Sequence, residues 1–102
     1  MNIDVYARGR NNAYEAIGVF DGKGITVIKG SRISQDVSAK IQPVVTKLRK
    51  DKTIVDDKFI LLQDVSFRSA STAASFVSGT ISNGLIKWRD ENGFTLKALQ
   101  EK

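Results

Sequence analysis

Two stretches of the chain gather side chains able to hold a ligand. The first, Arg68-Ser69-Ala70-Ser71-Thr72, sets three hydroxyls beside a guanidinium at the expected start of a helix. Backbone N–H groups and the helix dipole favour an anion such as a phosphate there. Capping of the helix by one serine explains the same letters and is the weightier reading for any single hydroxyl. The second stretch, Asn83-Gly84-Leu85-Ile86-Lys87-Trp88, holds the only tryptophan. Trp88 could stack a base or frame a pocket for a modified one, Asn83 could pair with adenine N6 and N7, and Lys87 lies between them. A lone tryptophan on a strand nevertheless reads first as core, and Asn before Gly reads first as a turn.

Other chemistries fall away. Cysteine and histidine are both absent, which excludes disulfides, thiolate nucleophiles, zinc held by Cys or His, and imidazole acid–base catalysis. The adjacent acids Asp56-Asp57 and Asp90-Glu91 sit in turn-like contexts, where neighbouring side chains point apart, and no third ligand or base accompanies them. The expectation is a protein with no catalytic residues, no cofactor and no metal.

Charge adds a further set of candidates. Residues 1–50 carry nine Lys and Arg against four Asp and Glu, while residues 51–102 carry seven of each, so the net charge of +5 lies wholly in the first half. Arg8, Arg10, Arg32, Lys40, Lys47, Arg49 and Lys50 could line a phosphate-facing surface or simply a solvated one. The Gly30-Ser31-Arg32 segment could lie near the same ligand.

The elements that must position these groups are read from periodicity and turn chemistry. Residues 3–6 suit a short strand, and Arg8 to Asn12 an exposed basic turn. Tyr14 to Phe20 and Ile25 to Lys29, joined by Asp21-Gly22-Lys23-Gly24, predict an antiparallel hairpin. Val37, Ile41, Val44, Val45 and Leu48 fall at helical spacing, with Lys40, Lys47 and Lys50 outside the apolar stripe. Either Ser34 caps a helix that kinks at Pro43, or the helix begins with Pro43 at its first position; the second is favoured. Thr53 to Val55 and Lys58 to Leu62 around Asp56-Asp57 suggest a second hairpin. A helix from about residue 70 to 78 ends at Gly79, Asn83-Gly84 turns into a strand at Leu85 to Trp88, and after a tight turn at Asn92-Gly93 Thr95 caps a last helical turn with Leu96 and Leu99. The 102 residues thus predict one α+β domain, a small antiparallel sheet of hairpins packed with two or three short helices. No apolar run approaches the roughly 20 residues of a membrane span, and no secretory signal opens the chain, which points to the cytoplasm.

From about Ala16 to Leu96 the chain resembles domain-of-unknown-function family 4357, small domains found at the C-termini of GIY-YIG nucleases and in restriction-associated proteins. The resemblance is carried by Val27-Ile28-Lys29-Gly30-Ser31, then Phe67-Arg68-Ser69-Ala70-Ser71-Thr72-Ala73-Ala74, then Gly79, Asn83-Gly84 and Trp88, and finally Gly93-Phe94-Thr95-Leu96. Ala70 stands where that family often carries proline, and no nuclease domain precedes the module in this sequence. The resemblance implies a DNA-handling accessory role, with any cleavage supplied by another protein. The combined expectation is a nucleic-acid-binding domain with double-stranded DNA as partner, bound through Arg32, Lys40, Lys47, Lys50, Arg68, Ser69, Ser71, Asn83, Lys87 and Trp88. The alternative is a module that docks onto a nuclease or methylase without touching DNA.

Overall fold

Local chemistry places most of the elements. The computed structural model describes residues 2–100. Strands β1 (Ile3–Arg8), β2 (Glu15–Phe20), β3 (Ile25–Val27) and β4 (Val65–Phe67) form one antiparallel sheet in the order β1-β2-β3-β4. Between β2 and β3 the carboxylate of Asp21 accepts the backbone N–H of Lys23 and of Gly24, which fixes the turn and sets Phe20 opposite Ile25. Alternation puts Val5, Ala7, Ala16, Phe20, Ile25, Val27, Val65 and Phe67 on the inner face, all buried.

Helix α1 (Pro43–Lys50) begins with proline at its first turn, where the missing N–H has no helical acceptor to lose. Helix α2 (Ala70–Ser78) is capped by Ser69, whose hydroxyl accepts the Thr72 N–H, and ends at Gly79 in the left-handed conformation at φ 77°. A side chain at position 79 would meet the Asp36 carbonyl, so glycine also serves close approach there. Helix α2 lies on the inner sheet face, with α1 and the single turn α3 (Gly84–Lys87) packed on it and α4 (Leu96–Gln100) beside α3. Trp88, Phe76, Ile25, Ile33, Leu61 and Leu96 are the largest wholly buried side chains, each worth about 2–3 kcal/mol in burial. Phe76 packs tilted on Phe67 with ring centroids 5.1 Å apart. Among the described residues no helix is long and apolar enough to cross a membrane.

Four expectations need correction. Leu85 to Trp88 is not a strand: the Asn83 side chain accepts the Leu85 N–H and starts the helical turn α3, and strand-like pairing begins only at Arg89, opposite Tyr6. The second hairpin shrinks to a single bridge between Val55 and Leu61, because Asp51 and Asp56 draw the flanking N–H groups of Thr53, Lys58 and Ile60 into turns. The stripe around α1 is narrower than expected; Ile41 and Val45 are buried, but Val37 precedes the helix and Val44 lies a sixth-turn or more off the stripe, leaving both exposed. β1 runs on to Arg8, and β4, too short to show a pattern, joins the sheet only through its distant partner β3.

Candidate nucleic-acid interface

The hydroxyl cluster and the Asn83 to Trp88 segment prove to be one packed knot. Trp88 is fully buried and its indole N–H donates to the Ala70 carbonyl at 3.1 Å, so it presents no ring to a base. Ser69 spends its oxygen on the Thr72 N–H and contacts the Thr72 hydroxyl at 2.8 Å. Ser71 accepts the Gly84 N–H at 3.0 Å. Gly84 sits so tightly on the first turn of α2 that a Cβ there would lie 2.1 Å from the Ala70 carbonyl carbon and 2.4 Å from the Ser71 nitrogen. The first turn of α2 is therefore packed closely against α3. Asn83 uses its oxygen as the cap of α3. Of the residues assigned to this region, Ser69, Ser71, Asn83 and Trp88 each make a hydrogen bond within the fold, whereas Arg68 and Lys87 stay exposed and line different clefts.

The α1 side behaves differently. Residues 37–52 hold five of the sixteen Lys and Arg and a single acid, Asp51. Lys40, Lys47 and Lys50 are exposed and make no ion pair among the described residues; the two ion pairs there are Arg8 with Glu15 and Lys52 with Asp57. Arg49 turns inward instead, donating to the carbonyls of Phe76 and Ser34, and desolvation lowers its pKa from the ordinary value. Its charge sits at the end of α2, where carbonyl dipoles favour a cation. Arg32 stands apart from α1: its backbone pairs with Glu15 and Ile60, and its guanidinium donates to the Ala13 carbonyl.

A second surface escaped the sequence reading. The outer face of the sheet carries Tyr6 and Ile17, 39% and 47% exposed and directly opposite each other in register. Arg89 faces Tyr6 across the other edge of β1, and Arg8 and Arg32 flank Glu15 in the next row. A cleft of about 520 Å³ opens at this edge, lined by Tyr6, Arg8, Lys87, Arg89, Asp90, Glu91 and Gly93. The signal was present in the alternation of Asp4, Tyr6 and Arg8, which only the full six-residue length of β1 makes visible. No group of three or more acids close enough to hold a metal occurs among the described residues.

Compared with known proteins, the chain matches the family model described as a domain of unknown function, DUF4357, over residues 6–100. No curated protein and no solved structure matches it.

Proposed function

The chain belongs to the DUF4357 family of domains of unknown function, and we propose that it is a non-enzymatic nucleic-acid-binding domain, acting on cytoplasmic DNA beside a nuclease or methylase of a restriction system. One observation carries the reading: the exposed, unpaired Lys40, Lys47 and Lys50 around α1. Exposed cations held in no ion pair lose little on meeting phosphates, and the counterions released from the nucleic acid drive the association. Val44, exposed at the second position of α1, suits the apolar edge of a groove such as a thymine methyl. The absence of cysteine and histidine from the sequence favours binding over catalysis.

The test is a fluorescence-anisotropy titration of a short labelled duplex across a salt series, with the parent protein and the triple variant Lys40→Gln/Lys47→Gln/Lys50→Gln. Each phosphate contact contributes about 0.9 to the slope of log K against log salt, so losing three should flatten it by about 2 to 3. A parent protein that fails to bind at low salt, or a triple variant with the parent slope, overturns the reading. Docking onto a nuclease or methylase is the second reading, favoured by Ile81 and Ile86, which stand 66% and 50% exposed outside the basic surface. It gains if duplex binding fails while the chain co-purifies with a co-expressed nuclease or methylase and Ile86→Ser releases it.

A further inference from the structure

We propose that the cleft at the β1 edge is a seat for one nucleotide unit of a single strand, with the base stacked on the Tyr6 ring and the phosphate held by Arg8, Lys87 and Arg89. The proposal rests on the nucleic-acid reading above but uses a different surface.

Antiparallel pairing decides which side chains meet. Directly opposed residues project to the same face, so Arg89, Tyr6 and Ile17 form one row and Arg8, Glu15 and Arg32 the next. The Tyr6 ring is thus bounded by an arginine on one side and an isoleucine on the other, on a face that no helix covers. A base stacked there gains an aromatic contact on one plane and apolar contact at its edge, while its backbone runs past cations. Arg8 is free enough to exchange partners: its ion pair with Glu15 spans 3.0 Å with both side chains more than half exposed, a pair of small net worth in water. Arg89 gives one N–H to the Gly93 carbonyl at 3.0 Å and keeps its other donors for a ligand.

The acids of the cleft narrow the ligand further. The Asp90 carboxylate holds the turn through one oxygen, Oδ1, which accepts the backbone N–H groups of Asn92 and Phe94. Glu91 stays exposed at the rim with no hydrogen bond or ion pair among the described residues, an acceptor for the amino group of a base and a repulsive neighbour for a polyphosphate. A single phosphate with an accessible base fits this balance. A duplex keeps its bases stacked inside the helix and offers Tyr6 no face.

The experiment compares a labelled oligo-dA single strand with the duplex, using the parent protein, Tyr6→Ala, Tyr6→Phe and Arg89→Gln. Losing one base stack should weaken single-strand binding on the order of tenfold, with Tyr6→Phe close to the parent and duplex binding unmoved by either Tyr6 change. Amide shifts in the parent protein on adding the unlabelled single strand supply a readout that needs no variant; they are expected at Tyr6, Arg8, Lys87 and Gly93. Shifts confined to residues 40–50, or single-strand binding unchanged in Tyr6→Ala, would overturn the proposal and leave the α1 reading standing. Failure of both strand forms to bind at low salt removes both.

Discussion

Replacing Gly84 by alanine sets two physical effects against each other with opposite signs. Gly84 opens a helical turn, and in an exposed helix glycine to alanine stabilises by up to about 1 kcal/mol. Here the added Cβ would stand 2.1 Å from the Ala70 carbonyl carbon, 2.3 Å from its oxygen and 2.4 Å from the Ser71 nitrogen. All three atoms belong to the backbone of α2, so no side chain can swing aside. α3 would have to retreat by more than an ångström, and two bonds cross the same interface: Gly84 N–H to Ser71 at 3.0 Å and the Trp88 indole to Ala70 at 3.1 Å. Overpacking of this kind costs about 1–3 kcal/mol, and each buried bond lost adds about 1 kcal/mol. Set against the helical gain, the net is about 2–5 kcal/mol of destabilisation, a large share of the roughly 5–15 kcal/mol that holds a domain. Urea denaturation followed by the fluorescence of Trp88, the only tryptophan, reads the loss directly and reports its changed surroundings. Gly93→Ala is the control: it has positive φ, 88°, but nothing near its Cβ, and should cost only about 1 kcal/mol. A Gly84→Ala protein as stable as the parent would refute the packing of α3 on α2.

Three further outcomes are expected. Ser69→Ala should lower stability by about 1 kcal/mol and Ser69→Asn should restore most of it, as measured by urea unfolding; equal loss in both would contradict a capping role. Arg49→Met should cost about 2 kcal/mol by stranding the Phe76 and Ser34 carbonyls, yet leave the salt slope of duplex binding unchanged, whereas the three exposed lysines behave the other way round. Acid should loosen the turns at Asp21 and Asp51. Bonds from the Gly24 and Lys23 N–H groups hold the Asp21 carboxyl below its ordinary 3.8, and the Thr53 hydroxyl and N–H, with the Lys47 charge, do the same for Asp51. A pKa lowered in the folded state contributes stability above the unfolded value that is lost as pH falls through the folded one. The urea midpoint should therefore drop below about pH 4 and drop less in Asp21→Asn/Asp51→Asn; parallel curves would count against the assignment.

How much was legible depended on how far a residue had to reach for its partner. The β2–β3 hairpin, the start of α1 favoured at Pro43, and α2 from about residue 70 to its end at Gly79 are set by residues within a turn of one another, so the letters locate them, while the choice of Ser69 as the cap came from the structure. β4 is three residues long and exists because Val65 finds Val27, a pairing no local pattern announces. The strand expected at Leu85 to Trp88 failed for the same reason: its apolar letters suit a strand, but an Asn83 cap and the close seat on α2 decide for a helical turn. Arg49 was indistinguishable from its neighbours Lys47 and Lys50 until α2 supplied carbonyls to draw it inward. Tyr6 was overlooked because a strand ending at residue 6 carries too few alternations to define a face.

The residues that carry the family resemblance bear on the fold more than on a ligand. Ser69 caps α2, Gly79 ends it against the Asp36 carbonyl, Ser71 receives Gly84, Asn83 starts α3, and Trp88 returns to Ala70. Ser69, Ser71 and Trp88 each satisfy another member of the same set, and Asn83 satisfies its own helical turn, leaving little of their chemistry for an outside partner. A knot of this kind explains how a chain of this size fixes a small α+β fold with one sheet face left bare. It also moves the functional question elsewhere, to side chains that the fold does not need: Lys40, Lys47 and Lys50 on one surface, and Tyr6, Arg8, Lys87 and Arg89 on the other. If substituting those residues leaves the unfolding free energy within about 0.5 kcal/mol of the parent while binding changes, the division between a folding set and a binding set holds. If the lysines or Tyr6 prove as costly to remove as Gly84, they belong to the architecture, and the binding surface must be sought at Val37, Ile81 and Ile86.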